Sequence, residues 1–278
     1  EAVLDTPPFP VPLPARRLGP ASVSGTPGRA GPAMPLARMA GTLVNGLTLP
    51  MAGLSLLLGG DYYYGQFFRV APGVTLTMNP GVILKAARSN NYGYGDPLLV
   101  EGALVASGTA ASPVAFTSLA DDSIGGDTNS DGTNSLPQIG DFGGIQVSQR
   151  DEIRPASVVL DHVRVAWGSV SVNTGGADER SPEYVARSAQ ITNSEFTHGA
   201  TIGVSGVGGV NVSGNTVSAS SSDGTGATLI SVVNTGLFTP TTVSNNPVSG
   251  PNVGTGGSPL PAAPLGARSL LTAAAAGA

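Results

Sequence analysis

The residues of this 278-residue chain that could do chemistry gather in a few short stretches. In GGDTNSDGTN, residues 125 to 134, acidic and amide side chains alternate before a glycine: Asp127, Asn129, Asp131, Gly132. Calcium takes about six to eight oxygen ligands. A D-x-N-x-D-G run offers three side-chain oxygens from alternate positions, and the glycine allows the bend that turns them inward. Thr133 and Asp122 extend the candidate ligand set. A helix–loop–helix calcium site would need a bidentate Glu at loop position twelve. Counted from Asp127 that position is Gln138, and the flanks read as strands, so this motif is excluded. Further ligands would come from backbone carbonyls, water, Asp121 or Asp141. The competing reading is a solvated loop whose Asp and Asn form Asx-turns. Five carboxylates between 121 and 141, with no basic residue among them, repel one another unless neutralised. That favours a structural Ca2+, tying down a loop (119–142) longer than compact domains leave unsupported.

Asp161 and His162 are adjacent, and neighbours on a strand point to opposite faces, so the sequence does not predict a dyad. His162 and His198, in FTHGAT, read as solvated or stacked corner residues. GDYYYGQFF (60–68) holds five of the fourteen aromatic residues. It reads either as a sugar-stacking platform or as a cap closing the first turn of a repeat. Other frameworks fail on residue types. No cysteine is present, so thiolate metal sites, disulfides and Cys nucleophiles are excluded. The only lysine, Lys85, lies within a strand pattern, and no phosphate-binding G-x-x-x-x-G-K-[ST] loop exists.

The elements that must position these residues are β-strands. Charged residues make up 11% of the chain against about a quarter in an ordinary globular protein, so its polar surface must come from Ser, Thr, Asn and Gly. The net charge of −5, with twelve scattered Arg, leaves no basic stripe for nucleic acid. The longest apolar run, 47–60, is too short and too interrupted by Pro and Gly to span a bilayer. VTLTMNPGVILKA (74–86), LLVEGALVASG (98–108), VAFTS (114–118), GGIQVS (143–148), SVVLDHVRVAWGSVSVN (157–173) and GVNVSGNTVS (209–218) alternate apolar and polar residues between Gly, Asn and Ser punctuation.

These strands carry a repeat. LDHVRV (160–165), ITNSEF (191–196), VSGNTV (212–217) and VSNNPV (243–248) each place an apolar residue five positions after another, with polar residues and Asn, Gly or His between. A recurring unit with loops of variable length predicts a solenoid. Inward Val, Leu, Ile and Phe would stack in columns, and the corner positions would take left-handed backbone. Nine prolines in residues 1–40 predict an extended arm or linker over 1–41. The solenoid is expected over 42–250, and a Pro/Gly/Ala-rich tail over 251–278, whose ARSLLTAAAAGA end is the one plausible helix.

VTLTMNPGVILKA, LLVEGALVASGTAASPVAFTSLADD, GGDTNSDG and GDFGGIQV together resemble the right-handed parallel β-helix domains of bacterial secreted and surface proteins, in the pectate-lyase-like superfamily. The likeness is close over about 70–148 and loose over 157–250. Phe142 stands where that family usually has Trp. The resemblance implies an all-β, single-stranded right-handed parallel β-helix and an extracellular setting, secreted or on the cell surface. The expected function is a structural or adhesive module of a bacterial envelope, calcium-stabilised, with a polysaccharide or envelope surface, or further copies of itself, as partner. The alternative is a lyase or hydrolase of acidic polysaccharide. By analogy with such enzymes, Asp151, Asp161, Arg164 and Arg187 are its candidate catalytic residues, provided that they converge within about 6 Å, where charges shift one another's pKa.

Overall fold

The computed structural model describes residues 2–5, 36–50, 55–59, 67–88, 94–148, 154–173, 188–205, 209–218, 228–233, 241–249 and 271–274. Every regular element among them is a strand, and every third strand pairs with its predecessor. Three ladders result. The first contains Leu47–Leu49, Thr75–Met78, Ala103–Ser107, Ser157–Asp161, Ser188–Thr192, Gly209–Ser213 and Thr241–Ser244. The second contains Ser55–Leu58, Ile83–Ala86, Val114–Ser118, Val163–Ala166, Glu195–Thr197, Thr216–Ser218 and Val248–Ser249. The third contains Phe68–Val70, Leu98–Val100, Ile145–Ser148, Val170–Asn173, Ile202–Ser205 and Thr228–Val233. Within each ladder the pairing is parallel, the strand order expected of a parallel β-solenoid. Three consecutive strands, one per ladder, make one coil.

The strand Leu36–Leu43 starts both the second and third ladders, so these form one folded sheet. Residues 36–39 pair with Ser55–Leu58, and residues 41–43 with Phe68–Val70. Gly41, at φ 85°, sits where the strand changes partner, a backbone conformation that glycine reaches without a Cβ clash. Ala2–Asp5 pairs antiparallel to residues 38–41 of the same strand. At the far end Leu271–Ala274 pairs antiparallel with Thr228–Val233. The Ala-rich tail therefore holds a strand where a helix was expected: pairing with the open edge of the last third-ladder strand satisfies its backbone, and that tertiary pairing overrides local helix propensity. Strands at Ala2–Asp5 and from Leu36 likewise lie within the segment expected to be an extended arm.

Alternation follows the pleat. Val158 and Leu160 are buried and register with Leu104 and Ala106 before them and with Ala189 and Ile191 after them. On the second ladder Leu84, Phe116, Val165, Phe196 and Val217 form another fully buried column. Each such side chain contributes about 1.5–3 kcal/mol by leaving water, and only the neighbouring coil can cover it. The hexapeptide repeat is in register along the solenoid: Leu160, Ile191, Val212 and Val243 stack, as do Val165, Phe196 and Val217.

Its third position is the corner. His162, Asn193, Gly214 and Asn245 all have positive φ, at 50°, 51°, 69° and 53°. The next position turns inward as Val163, Ser194, Asn215 and Asn246, all buried. There the side-chain amides close the corner's backbone bonds. Asn215 donates from Nδ2 to Ile191 O at 2.8 Å and to Asn246 Oδ1 at 3.0 Å, and its Oδ1 accepts from Ser194 N at 3.1 Å. Asn246 repeats the pattern one coil on, donating to Val212 O at 2.8 Å and accepting from Asn215 N at 3.0 Å.

Candidate functional site

The polar loop joins the second-ladder strand Val114–Ser118 to the third-ladder strand Ile145–Ser148. Its return is fixed by Phe142, which is 1% exposed and stacks on Phe116 with ring centroids 6.0 Å apart. Its acids are tied at the base. Asp121 accepts from Thr117 Oγ1 at 2.5 Å and from Ser123 N at 3.1 Å. Asp141 accepts from Ser118 Oγ at 2.8 Å and from Gln138 N at 2.9 Å, with Arg88 Nε 3.6 Å away.

The cation missing from the loop's own sequence comes from the coil beneath. Lys85 is fully buried, and its Nζ donates to Asp121 O at 2.8 Å and to Gly126 O at 2.9 Å. Burial lowers its pKa, and Asp121, Asp122 and Asp127 oppose that shift. The repulsion expected among the five carboxylates is thus relieved in part by Lys85 and Arg88, 36 or more residues earlier in the chain than the groups they meet.

The candidate calcium ligands divide into two groups. Asp127 is engaged as a turn cap, accepting from Asp131 N at 3.2 Å and from Gly132 N at 2.9 Å, and Thr133 is exposed. Asp122 Oδ1, Asn129 Oδ1 and Asp131 Oδ1, by contrast, are buried oxygens that accept no hydrogen bond. Burial raises the pKa of Asp122, with Asp127, Asp131 and Asp121 adding to the rise and Lys85 opposing it. Bare carboxylate and amide oxygens are the donor set a hard cation takes. Among the described residues, no three His, Cys, Asp or Glu side chains gather closely enough to form a metal site by themselves. The amide of Asn129 and backbone carbonyls would have to complete any coordination.

Of the candidate catalytic residues, Asp151 and Arg187 lie outside the described residues. Asp161 Oδ1 accepts from Thr192 Oγ1 at 2.8 Å and from Asn193 Nδ2 at 2.9 Å, one coil on. Its Oδ2 lies 3.0 Å from His162 Nδ1. The expectation that these neighbours face apart fails, because the left-handed backbone of His162 ends the strand's alternation there. Burial raises the pKa of Asp161, but the bonds from Asn193, His162 and Thr192, with the charge of His162, outweigh it and hold the carboxyl below its ordinary value. Arg164 sits on the second ladder and pairs with Glu195 in the next coil, Nε to Oε2 at 2.9 Å, on an exposed face. Asp161 and Arg164 thus serve different partners.

His198 has φ 54° and stacks on Trp167, itself at φ 65°, with ring centroids 4.2 Å apart. Both rings occupy the corner that follows the second ladder. Of the aromatic stretch 60–68, residues 60–66 lie outside the described residues. Phe68 is a core residue and Phe67 is 45% exposed. Among the described residues no helix is long and apolar enough to cross a membrane. No family model matches the chain, and neither a curated protein nor a solved structure matches it.

Proposed function

We propose that the chain is a single right-handed parallel β-helix of the pectate-lyase-like kind, working as a secreted or surface-displayed structural and adhesive module of a bacterial envelope. One observation carries the functional reading. The ionisable groups Asp161, Arg164 and Lys85 tie one coil to the next, Asp161 to Thr192 and Asn193, Arg164 to Glu195, and Lys85 to the loop. The right-handed path follows the general handedness of parallel crossovers. A lyase or hydrolase of acidic polysaccharide would instead need carboxylates and a cation turned together toward a substrate. Calcium would add to the loop's stability through Asp122, Asn129 and Asp131, with Asp127 shaping the turn.

The test has two arms. Cells displaying the chain should adhere to a polysaccharide-coated surface, while the purified chain should release no unsaturated or reducing ends from polygalacturonate. Measurable turnover that Asp161→Asn or Arg164→Ala abolishes would replace the adhesive reading with the enzymatic one. Thermal unfolding with and without calcium tests the ion. A rise on adding calcium should disappear in Asp131→Ala, and a native chain whose melting ignores calcium removes the metal from the proposal.

A further inference from the structure

The link between the strands Leu36–Leu43 and Leu47–Leu49 consists of Val44, Asn45 and Gly46, all exposed. Asn45–Gly46 is the one Asn–Gly pair in the chain. An asparagine followed by glycine can close into a ring, because the glycine's backbone N reaches back to the asparagine's Cγ. A residue without a β-carbon hinders that approach least. Gly46 has room for it: the nearest atom that a Cβ built there would meet, outside its chain neighbours, is Thr75 O at 3.7 Å.

Comparable pairs elsewhere are held against this closure. In Asp131–Gly132 the glycine N donates to Asp127 Oδ2 at 2.9 Å, and Asp131 Oδ2 accepts from Ser135 Oγ at 2.5 Å. Ser194 N, which follows Asn193, donates to Asn215 Oδ1 at 3.1 Å, and Thr216 N, which follows Asn215, donates to Ser194 O at 2.8 Å. Asn79 and Asn246 precede prolines, which lack the N–H altogether.

We propose that Asn45 is a site of spontaneous modification, converting to aspartate and isoaspartate through a succinimide as the protein ages. Gly46 N gives its proton to hydroxide and bonds to Asn45 Cγ. The Cγ–Nδ2 bond breaks, and Nδ2 leaves as ammonia with a proton from water. Water then opens one of the two imide C–N bonds. Opening at Cγ gives aspartate. Opening at the backbone carbonyl carbon gives isoaspartate, in which the main chain runs through Cβ and Cγ. The sum is amide plus water to carboxylate plus ammonium, so either product adds a negative charge. Isoaspartate also lengthens the main chain by one carbon just ahead of Leu47–Leu49. That strand begins the first ladder, registers with residues 76–78 and buries Leu49. Its register is disturbed by the added atom, so its amides open more readily.

Ageing the full chain in mildly alkaline buffer, with peptide mapping by mass spectrometry, tests the proposal. Asn45 should convert at least about tenfold faster than any of Asn79, Asn193, Asn215 and Asn246, and its rate should rise about tenfold per pH unit as the Gly46 amide loses its proton. Hydroxylamine, which cuts at a succinimide, should release a fragment ending at residue 45. Isoaspartyl methyltransferase with a labelled methyl donor should count isoaspartate there. Gly46→Ala should slow all three readouts at least about tenfold at unchanged melting temperature, because its β-carbon crowds the attacking N. In the aged native chain the amides of 47–49 should exchange with solvent faster than in fresh protein. An Asn45 that keeps its amide while the urea-unfolded chain loses it in the same buffer overturns the proposal, since the fold would then protect the pair. So does a rate indifferent to Gly46→Ala, or isoaspartate forming as fast at Asp131. Unchanged exchange at 47–49 in isoaspartate-bearing protein overturns the predicted loosening of the first strand.

Discussion

Replacing Asn215 by alanine tests the reasoning behind the inner corner. Its side chain bridges three coils, accepting from Ser194 N and donating to Ile191 O and Asn246 Oδ1, and none of it reaches solvent. Alanine leaves Ser194 N–H and Ile191 C=O buried without these partners, while Asn246 Oδ1 keeps its bond from Asn215 N. Each stranded group costs about 1–3 kcal/mol, so the substitution should cost about 2–6 kcal/mol. For a chain of this size that is a fall of roughly ten degrees in Tm, at about 2–4 °C per kcal/mol. Urea unfolding followed through Trp167, the single tryptophan, supplies the free energy, and hydrogen exchange shows whether protection is lost first in the coils around 191–217. Asn245→Ala is the control. That residue is exposed at φ 53°, so alanine costs only the left-handed backbone term, about 1–2 kcal/mol. An Asn215→Ala loss no larger than that of Asn245→Ala would refute the account, because the buried amide would then be doing no more than tolerating a bend.

Three further outcomes follow from the same structure. Lys85→Met should destabilise the chain by about 3–5 kcal/mol and open the 119–142 loop to protease, since it strands two carbonyls and removes a buried cation facing Asp121, Asp122 and Asp127; limited proteolysis reads this directly. Gly168→Ala should unfold the chain at markedly lower temperature than Gly132→Ala, because its Cβ would strike Phe142 O whereas that of Gly132 meets open space and costs only its positive φ, a difference that paired thermal melts expose. Asp161 has a lowered folded pKa, so the stability it lends is complete above the ordinary carboxylate value and is lost as pH falls through the lowered one. Asp161→Asn should therefore flatten the acid limb of a stability-versus-pH curve without adding to stability at neutral pH.

The coils were legible because their rule is local. The pairs Leu160/Val165 and Ile191/Phe196 announce the inward positions, and Asn, Gly or His between them announces the left-handed corner, all within six residues. The Asn215 and Asn246 ladder was half visible: the asparagines stand out, but their inward direction depends on the corner that precedes them. The loop's chemistry was not legible, because Lys85 reaches it from a strand one coil away, and no pattern inside 119–142 can show a cation supplied from outside. Asp161 and His162 misled for a related reason. Strand alternation holds only while φ is negative, and His162 is where it stops being so. The tail misled because alanine favours a helix only where no open strand edge competes for its backbone.

The strand Leu36–Leu43 has a mechanical consequence. Residues 38–41 carry Ala2–Asp5 on one edge, so the partners at 55–58 and 68–70 must share the other. A pull on the chain ahead of residue 36 is therefore divided between two walls of the rod at Gly41. Neither of these two walls can be peeled away without shearing the other, and a tether attached there loads both together.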